Sequence, residues 1–457
     1  MSMKTEQTSL RTTMKTFNGD ALTPILIFKR LQGKRKFLLE SSSKHEGSGR
    51  YSFIGMDPLK CYRGRDGKIE ELIYANGKTY VHEGDLFILL KRLMPRVTDH
   101  KDFPFTGGAV GYIGYGVGKE TKHAQTLGLP DVNFNIYETI IVFDHVENEV
   151  TLLHTEINPE KGTPDLDRLA DAILHGAEQQ DTSFEISDYT CSLTQEQFEE
   201  TVREAKRSIA DGVVDQVVLS RKLVADFQGD PFAVYRKLRK RNPSPYMYYM
   251  EFDDHTVVGT SPESLVRVTN GKVMTNPIAG TRRRGATMAE DQALEKELLA
   301  DPKELSEHEM LVELGRNDME KVCTPDSIQV TQHMEVIRYE HVMHLVSELE
   351  GTLSPVLHPL DAVTACIPAG TVTGTPKSVA MDLIDELEQE HRGIYGGAIG
   401  YIGFNGNTDF ALTIRTMLVK DHKAYVQAGA GIVSGSDPTS EYDETVNKAR
   451  SLLEVVQ

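Results

Sequence analysis

The chain has 457 residues, with 50 Lys and Arg against 68 Asp and Glu, a formal net charge of −18. Hydrophobic residues make up 39% and charged residues 26%, enough apolar content for real cores and too much for disorder, and the length suits about two to four domains. So acidic a chain is a poor partner for nucleic acid or an anionic membrane through its overall field, and any anionic ligand must be met by local Arg, Lys, metal or backbone N–H groups.

The N-terminal MSMKTEQTSLRTTMKTF lacks the apolar core of a secretion signal, and no apolar run approaches the ~18 residues of a membrane span. A cytoplasmic location is expected, with a Thr-rich, acid-poor transit peptide as the lesser reading. Residues 19–60 open with Gly19-Asp20-Ala21-Leu22-Thr23-Pro24 and the amphipathic stretch ILIFKRL. KFLLES and RYSFIG follow as strands, separated by a Ser/Gly-rich loop at 41–49. GGAVGYIGY at 107–115 and GGAIGYIGF at 396–404 agree at most positions and suggest a structural duplication. The polar segment 155–193 holds one periodic piece, LDRLADAIL, and is the expected boundary. It divides an N-terminal companion or regulatory region, 1–193, from a catalytic region, 194–457. Thr194-x-x-Gln197 fits a capping box, Phe198, Val202, Ala205 and Ile209 make one apolar stripe, and Gly212 is a stop. VVDQVVLSRKLV reads as a strand.

Lys303 to His308 belongs to a predicted helix on which Glu304 and Glu307, at i and i+3, share a face. The last helix opens with Asp437 as N-cap and Pro438 at its first position. Tyr442, Val446, Ala449, Leu453 and Val456 are expected to face its core, leaving Glu441, Glu444 and Lys448 on another stripe. Two E-x-x-E pairs suit a hard cation such as Mg²⁺, although either pair alone also fits a solvated helix face. Asn276–Thr281, Pro368–Lys377 and Ala428–Gly431 are glycine-rich turns, none of them a P-loop; they suit either an anion nest or ordinary tight turns. Cys61, Cys191, Cys323 and Cys366 are scattered without C-x-x-C and read as buried free thiols.

RYSFIG, NPSPYMYYM, SPE, NPIAGTR, ELSEH with RND, HVMH, PAGTVTGTPK, GIYGGAIGYIG, IRTM, QAGAGIV and SEYDETVNKA stand in that order along nearly the whole chain. The set resembles the chorismate-utilising enzymes, most closely the anthranilate synthase component I family. The resemblance implies an α+β fold of four layers, α/β/β/α, with two large packed sheets and internal duplication. It implies Mg²⁺ held by Glu307 and Glu444, with Glu304 and Glu441 holding metal-bound waters. Glu263 matches the general acid that protonates the departing hydroxyl, His344 the histidine tied to loss of pyruvate, and Thr371 a substrate contact grouped with these catalytic residues. Tyr395 and Arg415 match the groups that bind the enolpyruvyl carboxylate. Thr281, Gly429, Ala430, Gly431 and Lys448 match further substrate contacts.

Within that family, water-adding relatives carry a lysine base at the position that matches Gln216 here. A non-basic group there points to ammonia, whose lone pair needs no base. Ala279 stands where many aminodeoxychorismate synthases use a nucleophilic lysine, which favours anthranilate as product. Aminodeoxychorismate synthase stays as the alternative, and a non-catalytic amino-acid-binding relative as a third. No cysteine sits in G-x-C-x-G, so the glutaminase must be a separate polypeptide. Glu40 and Ser41, with Pro243, Tyr246 and Met247, resemble a tryptophan-inhibition pocket: a carboxylate for the ammonium and a wall for the indole. Ala411 falls where some tryptophan-sensitive relatives carry cysteine.

Overall fold

Runs rich in Val, Ile, Tyr and Phe form strands that pair antiparallel into two large sheets. The computed structural model describes residues 12–42, 49–96, 103–117, 119, 127–158, 162–180, 182–338 and 342–456. Among these, one sheet has 13 strands and the other 12. The first runs from the edge strand Thr12–Asn18 through Glu149–Thr155, Thr139–Asp144, Tyr51–Gly55 and Phe37–Glu40. It continues through Tyr246–Glu251, His255–Ser261, Thr416–Lys420, Lys423–Ile432 and Gln216–Gly229 to Phe184–Ile186. The second runs from Ile278–Arg283 through Val342–Thr352, Lys272–Thr275, Ser264–Thr269 and Thr408–Leu412. Ala398–Gly403, Gly108–Ile113, Val132–Tyr137, Lys60–Arg65, Lys68–Ile73 and Lys78–Glu83 complete it. Strands from before and after residue 193 share both sheets.

An apolar layer rich in rings fills the space between the sheets. Phe37, Phe53, Val142 and Tyr248 of the first meet Tyr112, Ile399 and Tyr401 of the second. Phe53 meets Tyr401 edge-on at 6.0 Å, and such aromatic pairs add about 0.5–1.5 kcal/mol beyond burial. Helices Pro24–Arg30, Leu166–His175 and Pro231–Arg241 cover part of the first sheet's outer face, and Gln195–Ala210 with Lys377–Leu387 cover another part. Helices Leu86–Leu93, Pro302–Glu320 and Pro359–Cys366 cover the second. The layering is therefore α/β/β/α, as the resemblance implies.

Several expectations hold in detail. Gln197 N donates to Thr194 Oγ1 at 3.3 Å and Thr194 N to Gln197 Oε1 at 2.9 Å, a complete capping box. The two nonamers are neighbouring strands, with Gly111 opposite Gly400, Tyr112 opposite Ile399 and Val110 opposite Tyr401. Equivalent residues thus meet around a local two-fold. The core face of the last helix, Pro438–Val456, includes the expected Ala449, with Tyr442 and Leu453 packed against the core, and is wider than expected. Thr445, Ala449 and Leu452 are its buried positions, while Tyr442, Val446 and Leu453 are half-buried; the side chain of Val456 lies outside the described residues. Thr445 can be buried because its hydroxyl accepts from Arg221 Nε at 2.8 Å and donates to the Tyr442 carbonyl at 2.7 Å. All four cysteines are free, three buried and Cys191 half-buried. No described helix is long and apolar enough to cross a membrane.

Candidate active site

Two chain segments pass between the sheets side by side. His255–Ser261 lies in the first sheet and Ser264–Thr269 in the second, so Pro262 and Glu263 bridge them. Thr408–Leu412 and Thr416–Lys420 make the return passage through Thr413, Ile414 and Arg415. The Ser261 hydroxyl donates to the Leu412 carbonyl at 2.7 Å, and Leu412 N donates to the Glu263 carbonyl at 3.0 Å. Arg415 has φ of 50°, the left-handed region that a non-glycine residue enters at a cost, and such strain concentrates at functional sites.

Glu263 is densely enclosed although part of its surface is open. Burial pushes its carboxyl up to about 7, against a hydrogen bond from Thr371 and the nearby charge of Lys448. Thr371 Oγ1 donates to Glu263 Oε1 at 2.8 Å. A carboxyl so placed is a proton donor at neutral pH.

Thr281 and His344 are cross-strand neighbours on Ile278–Arg283 and Val342–Thr352. His344 Nδ1 lies 3.0 Å from Thr281 Oγ1 and 3.2 Å from the Gly280 carbonyl, which favours the tautomer that donates from Nδ1. Burial holds the imidazole below its ordinary range; the Gly280 bond opposes this and Arg415 adds to it. Burial likewise lowers Arg415, while Tyr395 and Glu444 act in the other direction.

Gly429 and Gly431 lie opposite Ser220 and Val218 on the paired strand. A Cβ at 429 would stand 2.7 Å from Tyr395 Oη, and one at 431 would stand 2.8 Å from Gln216 Nε2. Both glycines therefore make room for polar side chains. Ala430 is fully buried, in the apolar cluster under helix Gln195–Ala210, so its methyl faces away from these groups.

The four glutamates come from helices Pro302–Glu320 and Pro438–Val456. Burial raises Glu307, and Glu304 and Glu444 raise it further, while Lys303 and Lys448 oppose. Burial also raises Glu441, with a Ser436 hydrogen bond and the two lysines opposing and Glu444 reinforcing. Lys448 Nζ sits 2.6 Å from Glu444 Oε1 and 3.0 Å from the Gly429 carbonyl. Arg282, on NPIAGTR, holds Glu304 at 3.1 Å. Among the described residues no three acids or imidazoles are gathered into a ready metal shell. The donor set is nonetheless hard oxygen with an excess of half-buried negative charge, which suits Mg²⁺.

The expected effector residues lie apart from this centre. Glu40, 2% exposed at its side chain, accepts from Tyr235 Oη at 2.5 Å and pairs with Arg239 at 2.9 Å. Met247 is its register partner and shares its face. Tyr246 points to the opposite face, where its hydroxyl donates to Asp409 at 2.8 Å and lies 2.9 Å from the Ser264 hydroxyl. Pro243 is half-buried, and the buried Ser41 hydroxyl has no hydrogen-bond partner among the described residues. The sequence reading missed Arg239, Tyr235 and Arg282, which ordinary helix and turn positions conceal. It also missed the buried pair Glu388 and Arg392, whose one signal is a charged i, i+4 pair just before GIYGG.

The fold and this convergence of acids, cations and a carboxyl raised by burial fit one class of protein: the chain belongs to the chorismate binding enzyme family, whose model matches residues 36–454. It is 45% identical to anthranilate synthase component 1 of Lactococcus lactis, over 97% of this chain and 99% of that one. It is 40% identical to anthranilate synthase component 1 of Thermus thermophilus, over 98% of each chain. The crystal structure of anthranilate synthase component I from Streptococcus pneumoniae superposes with a TM-score of 0.79 at 38% identity, covering 95% of this chain and 98% of that one. A menaquinone-specific isochorismate synthase from Escherichia coli shares the fold, with a TM-score of 0.75 at 20% identity over 98% of this chain and 95% of that one.

Proposed function

We propose that the chain converts chorismate and ammonia to anthranilate, pyruvate and water, as the synthase component of a cytoplasmic anthranilate synthase. The observation that carries this is Glu263, held protonated near neutrality beside Thr371 and within the field of Lys448. Ammonia adds at ring C2 while the C4 hydroxyl leaves, and Glu263 supplies the proton that lets it leave as water. His344, neutral through burial, takes the ring proton from C2 as the enolpyruvyl ether breaks. Electrons from the broken C–H bond complete the aromatic ring as the C3–O bond breaks, and the side chain departs as the enolate of pyruvate, whose methylene takes up one proton to give pyruvate. Arg415 and Tyr395 bind the enolpyruvyl carboxylate, a task suited to a planar guanidinium fork. Thr281 keeps His344 oriented, and the main chain of Gly429 to Gly431 gives the ring close access. Gln216 stands beside Gly431 without a basic group, consistent with ammonia rather than water as nucleophile. Glu307 and Glu444, with Glu304 and Glu441 behind them, would hold Mg²⁺, which supplies charge neutralisation for the ring carboxylate.

The ammonia comes from a separate glutamine amidotransferase subunit. Region 194–457 carries the reacting groups, and 1–193 contributes the effector side. There Glu40 and Ser41, with Pro243 and Met247, receive tryptophan; the unpartnered Ser41 hydroxyl supports this, and Tyr246 acts from behind the strand. The test is purified chain with chorismate, Mg²⁺ and ammonium salt, read by product fluorescence and identity. Ortho-aminobenzoate with pyruvate is expected. A 4-amino, non-aromatic product would overturn the reading.

A further inference from the structure

Arg392 and Glu388 form a nearly inaccessible ion pair, 2% and 8% exposed, joined at 2.5 Å through Arg392 Nη2 and at 2.8 Å through Nε. Such a pair is rarely justified by stability alone, because desolvating both charges offsets most of their attraction. What else the two groups touch is therefore informative. Arg392 Nη1 donates to the Val372 carbonyl at 2.7 Å, and Nη2 donates to the Val218 carbonyl at 2.7 Å. Val372 follows Thr371, the donor to Glu263. Val218 lies two residues from Gln216 and opposite Gly431. The guanidinium also lies over the rings of Tyr115 and Tyr395, 4.6 and 5.6 Å from their centroids. Glu388 Oε1 in turn accepts from Ser220 N at 2.7 Å and Ser220 Oγ at 2.8 Å, on the strand that carries Gln216.

We propose that Arg392, clamped by Glu388, is a positioning residue that fixes the Thr371 hydroxyl on Glu263 and the Tyr395 ring toward substrate. The proposal rests on the functional reading above. One planar group with fixed donor directions ties together three segments that are remote in sequence. A lysine keeps the charge but cannot meet two carbonyls and a bidentate carboxylate at once.

The groups that face Glu263 are Thr371, from Gly370–Thr373, and Lys448, from the last helix. Neither is replaced in Arg392→Lys. Losing the register of Thr371 removes a hydrogen bond that favours the ionised form of Glu263. The acid then keeps its proton to higher pH, and the alkaline limb of the rate profile moves up. A purely structural role for Arg392 would not move it.

Wild-type turnover at constant free ammonia is measured first; failure to aminate chorismate refutes the functional reading whatever Arg392 does. With turnover established, Arg392→Lys should lower kcat about tenfold to a hundredfold, the scale of a small misplacement. It should raise KM for chorismate several-fold through Tyr395 and shift the alkaline limb upward. Thr371→Val should give the same alkaline shift, and the double variant should shift no further than Thr371→Val alone. A folded Arg392→Lys with wild-type kcat, KM and pH profile, and only a lower melting temperature, overturns the proposal. If Arg392→Lys does not fold, Glu388→Gln decides, since it loosens the clamp while leaving Arg392 in place. A smaller shift of the same sign supports the proposal, and a wild-type profile overturns it.

Discussion

Replacing Glu263 by glutamine keeps its shape and removes its proton. In the folded chain this carboxyl is pushed up from an ordinary 4.5 to about 7. Between those values the folded state holds a proton that the unfolded chain has released, so stability falls as pH rises across that window and levels off above it. At about 1.4 kcal/mol per factor of ten, the gap amounts to about 3 kcal/mol, an upper bound because solvent reaches part of the side chain. Glu307 and Glu441 are raised as well and add dependence of the same sign, but both proteins share it. The difference between wild type and Glu263→Gln isolates residue 263. Urea unfolding from about pH 5 to about pH 9 should therefore show the variant gaining up to about 3 kcal/mol on wild type as pH rises. Turnover of the same variant should fall by about 10²–10⁴, the worth of a positioned general acid. A stability difference that stays constant with pH would show that Glu263 titrates normally, and would refute its role as the neutral proton donor.

Glu307→Gln and Glu444→Gln should each lose most Mg²⁺-dependent turnover while keeping the melting temperature; near-wild-type rates in both would remove the metal from this pair of helices. His344→Met should slow pyruvate release more than amination, so an aminated, non-aromatic intermediate should accumulate in chromatograms of quenched reactions, whereas equal slowing of both steps would make it a general positioning group. If tryptophan binds at the proposed effector site, Ser41→Phe should fill that site and leave activity without inhibition. The chain contains no tryptophan, so binding can be followed by the ligand's own indole fluorescence, and an unchanged signal at millimolar tryptophan would leave LLES and NPSPYM as structural segments.

Local features were legible in the sequence because their physics is local. The Thr194 capping box, the Pro438 helix start and the shared face of Glu304 and Glu307 depend on residues three or four apart. The repeated nonamers announced a duplication, although their pairing around Gly111 and Gly400 needed the sheet. The convergence of Glu263, Thr371 and Lys448 was not legible from spacing, since they come from a sheet crossover, a proline-flanked turn and the last helix. Only resemblance to a family joined them. The core face of that helix is wider than its apolar residues alone mark out, because a buried threonine looks polar until Arg221 is seen to satisfy it. Strand alternation places Tyr246 and Met247 on opposite faces, which a list of pocket residues conceals. Arg392 carried no sequence signal of its own, because nothing in HRGIYGG says that a guanidinium there is buried.

A chain of net charge −18 that binds a dianion needs an explanation, and the position of its cations supplies one. At physiological salt the field of distant surface acids fades within about 8 Å, so approach is governed by the charges at the cleft itself. There Arg415 is half-buried, which weakens its hydration and strengthens its pull on a carboxylate. Lys448 is already engaged with Glu444, and its field reaches Glu263, Glu307 and Glu441. A cation arriving between the glutamates would compete with that ammonium for Glu444. Released from Glu444, Lys448 could turn to the anionic substrate while the metal takes its place. Metal and chorismate should then bind with mutual reinforcement, each tightening the other by the same factor. Lys448→Gln leaves Glu444 unpaired, so it should bind Mg²⁺ alone more tightly and chorismate more weakly. Calorimetric titrations of each ligand with and without the other would measure this. Lys448→Gln with unchanged Mg²⁺ affinity would show that the ammonium does not hold the metal's place.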